Sequence, residues 1–106
     1  MLASEFANAC KRERDSMWAS YVDPAGTSVV SELIRNARLT DVQLERVKQA
    51  LDCALTDAFY AMLLGLDGGG SLGGDQQPYK LVDASGRVVS NGGDLEAAAY
   101  KAFYPD

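Results

Sequence analysis

The stretch Ala58-Phe59-Tyr60-Ala61-Met62-Leu63-Leu64-Gly65-Leu66-Asp67-Gly68-Gly69-Gly70-Ser71-Leu72-Gly73-Gly74 carries an apolar run straight into a glycine loop. Its first half continues a pattern begun upstream. Leu44, Val47, Leu51, Leu55, Ala58 and Met62 recur every three or four residues, which is one face of a helix. Phe59, Leu63 and Leu66 widen that stripe, while Glu45, Arg46, Lys48, Gln49, Asp52 and Asp57 form the polar face. Thr40 and Gln43 have the spacing of a capping box, and Asp41 adds a favourable charge to the first turn. The pattern predicts a helix over 40–66. At about 1.5 Å per residue it is about 40 Å long, the spine of a small domain. Asp67-Gly68 is read as its end, with Gly68 in the left-handed conformation. Five glycines within residues 68–74 cost backbone entropy on folding. Such a loop either makes a tight structural turn or presents its backbone to a partner.

On the N-terminal side, Leu2, Phe6, Cys10, Met17 and Tyr21 form the stripe of a first helix, with Trp18 beside it. Lys11, Arg12, Glu13, Arg14 and Asp15 fall mostly off that stripe. Asp23-Pro24-Ala25-Gly26 stops the helix, because proline cannot continue it. Thr27 or Ser28 can cap a short second helix, with Val29, Val30, Leu33, Ile34 and Ala37 on its buried face. On the C-terminal side, Pro78–Asp83 and Arg87–Ser90 have strand composition around the turn Asp83-Ala84-Ser85-Gly86, which predicts a hairpin over 78–90. A two-stranded hairpin is marginal alone and must lie on helices. After the turn Asn91-Gly92-Gly93, Asp94 can cap a last helix over 95–104, which Pro105 stops. The expected fold class is therefore α+β: a single domain, 1–106, mainly helical, ordered α-α-α-β-β-α.

The chain has 106 residues, of which 47% are hydrophobic and 24% charged, enough apolar residue for one core and too much for a disordered chain. The formal net charge is −5. Residues 1–38 balance, with five basic and five acidic side chains; residues 39–106 carry five basic and ten acidic, so the excess lies there. An acidic surface repels phosphate backbones, which argues against nucleic acid, and it speeds encounter with a basic protein. Cys10 and Cys53 both fall at apolar positions of expected helices and show no metal-like spacing, which suggests free thiols in a reducing cytoplasm. The N-terminus lacks the basic and apolar regions of a signal peptide. Leu51–Leu66 is broken by Asp52 and Asp57 and is too short to span a bilayer.

Histidine is absent, which removes Ser–His–Asp and Cys–His catalysis, the common zinc sites and any imidazole switch. Gly69-Gly70-Ser71-Leu72-Gly73 matches G-x-S-x-G, but a hydrolase elbow needs a strand before it, a helix after it and a histidine partner. The loop lacks the Lys-Ser/Thr of a phosphate loop and the alternating ligands and closing glutamate of a calcium loop. Asp52 and Asp57, five apart on a helix, share a face poorly and make no acid–base pair. No cofactor, metal site or enzymatic activity is expected. Tyr60, Tyr79, Tyr100, Phe103 and Tyr104 concentrate in the C-terminal half, as core packing or as anchors for a protein partner.

Ala54–Gly68 with Leu63-Leu64-Gly65-Leu66-Asp67-Gly68, followed by Tyr79-Lys80-Leu81-Val82-Asp83-Ala84-Ser85-Gly86, resembles small bacterial cytosolic proteins. In these an amphipathic helix ends in Leu-x-x-Leu-Asp-Gly and a Tyr-x-Leu-x-Asp-x-x-Gly hairpin follows. Several of them are toxin-immunity proteins or neighbours of them, and others have no assigned function. The resemblance covers residues 54–90 and transfers no functional residue. It implies a non-catalytic inhibitor that covers the basic site of a toxin or effector with an acidic and aromatic surface. The candidate partner-binding residues are Asp67, Asp75, Tyr79, Asp83 and Tyr104. A homodimer through an exposed helix face is compatible with that. The alternatives are a phage-type inhibitor of a host defence complex, a small enzyme or ligand carrier using carboxylates around Asp67–Asp75, and a structural subunit of a larger complex.

Overall fold

The structure is a computed structural model and describes residues 1–90 and 92–105. It contains α1 (Ala3–Val22), α2 (Val29–Asn36), α3 (Asp41–Leu66) and α4 (Asp94–Phe103). The turn expected at Asn91-Gly92-Gly93 includes Asn91, which lies outside the described residues.

The helix ends form where local chemistry specifies them. Thr40 Oγ1 accepts the Gln43 N–H at 3.2 Å and Gln43 Oε1 accepts the Thr40 N–H at 2.9 Å, so the capping box that starts α3 is complete. Ser28 caps α2 by accepting the Ser31 N–H at 3.1 Å. At the end of α3 the Gly68 N–H reaches the Gly65 carbonyl and the Gly69 N–H reaches the Leu64 carbonyl. This Schellman closure needs a residue at positive φ, and Gly68 supplies it at 81°.

α1, α3 and α4 pack on one another, whereas α2 packs on α1 alone among the described elements. The core lies where the three helices meet. Leu63 of α3 and Leu95, Ala99 and Phe103 of α4 are buried, with Phe6 and Cys10 of α1 and Phe59 packed against them. Phe59 stacks on Phe103 at 6.2 Å between ring centroids. Farther along, Trp18 Nε1–H donates to the Lys48 carbonyl at 2.9 Å, tying α1 to α3. Arg14 tightens the same contact. Its side chain is buried, bridges to Asp15 at 2.7 Å and to Asp52 on α3, and leaves Nε without a hydrogen-bond partner.

The expected hairpin over 78–90 is not present, and the α+β class gives way to a four-helix architecture. Among the described residues there is no strand, only the isolated bridges Leu72–Asp75 and Val82–Val88. The turn itself forms. The Gly86 N–H donates to the Asp83 carbonyl at 2.9 Å, and the Asp83 carboxylate accepts the Ser85 and Arg87 N–H groups, each at 3.0 Å. Two backbone bonds do cross between the flanks, from the Asp83 N–H to the Arg87 carbonyl at 2.9 Å and from the Val89 N–H to the Leu81 carbonyl at 2.7 Å, and they make the single Val82–Val88 bridge. Pairing stops there because the remaining donors bond elsewhere. The Leu81 N–H donates to the Ser90 hydroxyl, that hydroxyl donates to the Tyr79 carbonyl, and the Tyr79 N–H donates to the Leu66 carbonyl of α3. Pro78 has no N–H to extend the pairing.

Several faces also differ from expectation. Val29 and Leu33, expected inside, are 72% and 65% exposed, and α2 buries Ser31 instead. The Ser31 hydroxyl satisfies itself on the Ser28 carbonyl at 2.9 Å, so a small polar residue can face α1 without loss. Cys53 is exposed and Cys10 half-buried, both as free thiols. Leu51 and Leu55 are half-buried, Met62 is exposed, and Arg14 is buried despite lying off the apolar stripe.

Candidate protein-binding surface

The C-terminal end of α3 and the whole of α4 position the surface. α4 begins without a capping side chain of its own, since its N-cap is Gly93. Asp67, at the C-cap of α3, supplies one. Its Oδ2 accepts the Glu96 N–H at 2.9 Å across 29 residues of chain. The carboxylate also faces the positive end of the α4 dipole. Asp94, expected as the cap, is instead the first residue of the helix. The loop returns tightly over this joint. Gly65 is buried against the Leu72 side chain, so a side chain there would collide with it, and the end of the Glu96 side chain lies against Gly69.

With α4 held there, three tyrosines meet. Tyr60 of α3 approaches Tyr104 edge-on, with ring centroids 5.0 Å apart at 87°, and Tyr100 at 6.5 Å and 61°. Tyr100 and Tyr104 lie 5.7 Å apart at 31°. Tyr100 is 61% exposed and Tyr104 42%. Burial first, then the negative charge of Glu96, then Tyr104 and Tyr100, push the Tyr60 phenol above its ordinary pKa. The Tyr60 phenol therefore stays a neutral hydrogen-bonding group within the cluster. Tyr100, Lys101, Tyr104 and Pro105 line a shallow depression beside them.

The five residues singled out from the sequence fall in different settings. Tyr104 is in the cluster. Asp67 lies at the other end of α4, where one of its oxygens accepts the Glu96 N–H. Tyr79 is 38% exposed, and its hydroxyl accepts from Gln77 Nε2 at 3.3 Å. Asp75 is an exposed loop residue whose backbone pairs with Leu72. Asp83 organises its turn and also takes the N-terminal ammonium of Met1. That ammonium first, then the Ser85 hydroxyl, with the Arg87 and Ser85 amides behind them, hold its carboxyl well below the usual carboxylate range. No hydrogen bond among the described residues joins Asp75 or Asp83 to Tyr104.

Tyr60 and Tyr100 complete the cluster without having been among the five. Half of the signal was in the sequence: Tyr100 and Tyr104 are four apart, the spacing that stacks side chains on one helix face. Their meeting with Tyr60 depends on how α3 and α4 cross. Among the described residues no group of three or more Cys, Asp or Glu is placed to hold a metal ion, and no helix is long and apolar enough to cross a membrane. Compared with family models, with curated proteins and with solved structures, the chain matches none.

Proposed function

We propose that this chain is a non-catalytic protein-binding module whose docking face is the Tyr60–Tyr100–Tyr104 cluster. The observation that carries the reading is three mutually packed tyrosines left open on a helical scaffold. Tyrosine offers large, rigid, amphipathic contact area at small entropic cost, which is why it anchors protein interfaces. The net charge of −5 favours a basic partner and a mechanism of occlusion, as in toxin-immunity proteins. The engagement of Asp67 as a helix cap favours binding over carboxylate chemistry around Asp67–Asp75. The two free thiols fit a reducing cytoplasm.

The test compares three baits in source-cell extract: the unaltered chain, Tyr100→Ala/Tyr104→Ala, and Val42→Ser as an exposed control far along α3. A protein held by the first and third should be lost from the second, with an affinity lower by on the order of tenfold or more. Equal retention by all three baits refutes this docking face.

A further inference from the structure

We infer that the gap between α2 and α3 is a binding site for a small organic anion, a carboxylate carried on an apolar body. The site lies about three turns of α3 away from the tyrosine cluster and is independent of its role. α1 packs on both helices, but α2 and α3 make no packing contact with each other, which leaves a cavity of about 180 Å³ between them. Val22, Ile34, Leu39 and Leu44 form its apolar wall. Arg35, Arg38 and Lys48 line it as well, against the single carboxylate of Asp23. That carboxylate is engaged in its own turn, where it accepts the Ala25 N–H at 2.9 Å. Among the described residues neither Arg35 nor Arg38 forms an ion pair, and Lys48 reaches only the exposed Glu45, at 3.6 Å. The cavity is therefore cationic in a chain whose net charge is −5. Its volume is below the range of about 300–1,000 Å³ usual for drug-sized ligands, so its occupant is small. A guanidinium takes a carboxylate through two parallel hydrogen bonds, and the apolar wall accepts the rest of the molecule.

The backbone at Arg38 points to the same site. Among the described residues Arg38 is the only one other than glycine at positive φ, 53°. It follows the C-cap of α2, and its N–H donates to the Arg35 carbonyl at 3.2 Å. Glycine is the usual residue at that position, because it has no Cβ to strain. An arginine there costs stability and recovers none of it through an ion pair. Strained residues of this kind gather at ligand clamps, and the side chain of this one lines the cavity. Arg35 is held in advance. Its Nη1 donates to the Pro24 carbonyl at 3.2 Å and to the Gly26 carbonyl at 2.7 Å, which fixes the guanidinium without cancelling its charge. The Trp18 bond to the Lys48 carbonyl fixes the stretch of α3 that carries the third cation.

Titration calorimetry of the purified chain tests this, with benzoate and hexanoate as probes and with benzyl alcohol and inorganic phosphate as comparisons. Both carboxylates should bind saturably, and more tightly than either comparison. Arg38→Gly and Lys48→Gln should each weaken their binding about tenfold, the size of one lost charge-assisted hydrogen bond. Arg38→Gly also relieves the left-handed backbone, so its melting temperature should not fall, and its loss of binding is then no loss of fold. Should it melt lower, Lys48→Gln gives the same readout. Arg12→Gln, on the exposed surface of α1, should bind like the unaltered chain. The absence of saturable binding by either carboxylate overturns the proposal, as does binding that survives both cavity variants. Benzyl alcohol bound as tightly as benzoate removes the need for an anion, and phosphate bound as tightly removes the need for an apolar body. Either result overturns it equally.

Discussion

Asp83 shows how one carboxylate can organise a segment that has almost no ladder. It accepts the Ser85 amide and hydroxyl and the Arg87 amide, and it takes the Met1 ammonium. These donors favour the charged form, so the folded pKa lies below the unfolded value. A group depressed in this way contributes stability above its unfolded pKa and loses it as pH falls toward the folded one. Asp83→Asn should therefore lower the melting temperature at neutral pH. The gap to the unaltered protein should close as pH drops below about 4, the ordinary carboxylate value. Thermal melts at stepped pH check this, and a gap that stays constant refutes it. Burial sets a second contrast. Leu95 is 0% exposed, so Leu95→Ala should cost about 2–5 kcal/mol in urea denaturation. Leu51 and Leu55 are half-buried, and each should cost less on truncation than Leu95.

α3 carries its own start and stop, whereas α4 borrows its start from a distant residue. The Thr40–Gln43 box and the Gly68 closure lie within a few residues of the helix they end. The Asp67–Glu96 bond, by contrast, exists only after α4 docks. Asp67→Ala should cost about 0.5–2 kcal/mol, the usual value for a lost cap. The Glu96 amide should exchange faster in that variant, while Asp75→Ala leaves it protected. Unchanged exchange at Glu96 would show that the cap does not hold the first turn. The α2 helix differs again. Its Val29 and Leu33 remain in solvent because only α1 is there to meet it, and α1 meets Ser31.

At the scale of the whole molecule, length and charge dominate. The chain extends 46 Å along its longest axis, and α3 runs most of that distance. The net charge of −5 acts over such a body at long range and is screened by salt. Association with a basic partner should slow as ionic strength rises from about 0.1 M to about 1 M, where the screening length falls from about 10 Å to about 3 Å. Dissociation should change less, since the tyrosine contacts are short-ranged. Stopped-flow rates at the two ionic strengths decide it, and a salt-independent association rate excludes electrostatic steering.

What the sequence determined by itself was local. The stripe from Leu44 to Met62 implied α3, Thr40 marked its cap and Thr27 or Ser28 that of α2 (the structure uses Ser28), Pro24 marked the end of α1, and Asp83–Gly86 specified a turn. Each depends on side-chain spacing or on hydrogen bonds spanning four residues or fewer, and such interactions are present before any helix meets another. Tertiary structure decided the rest. Strand composition on both sides of Gly86 did not become a hairpin, because Tyr79 found the Leu66 carbonyl and Leu81 found the Ser90 hydroxyl. Arg14 became buried because Asp52 came within reach on the facing helix. The tyrosine surface required α3 and α4 to bring together rings 40 or more residues apart in the chain, Tyr60 with Tyr100 and Tyr104. Composition and periodicity record which residues favour burial or extension. They do not record which partner competes for a given amide or face, and that competition is resolved only once the helices pack.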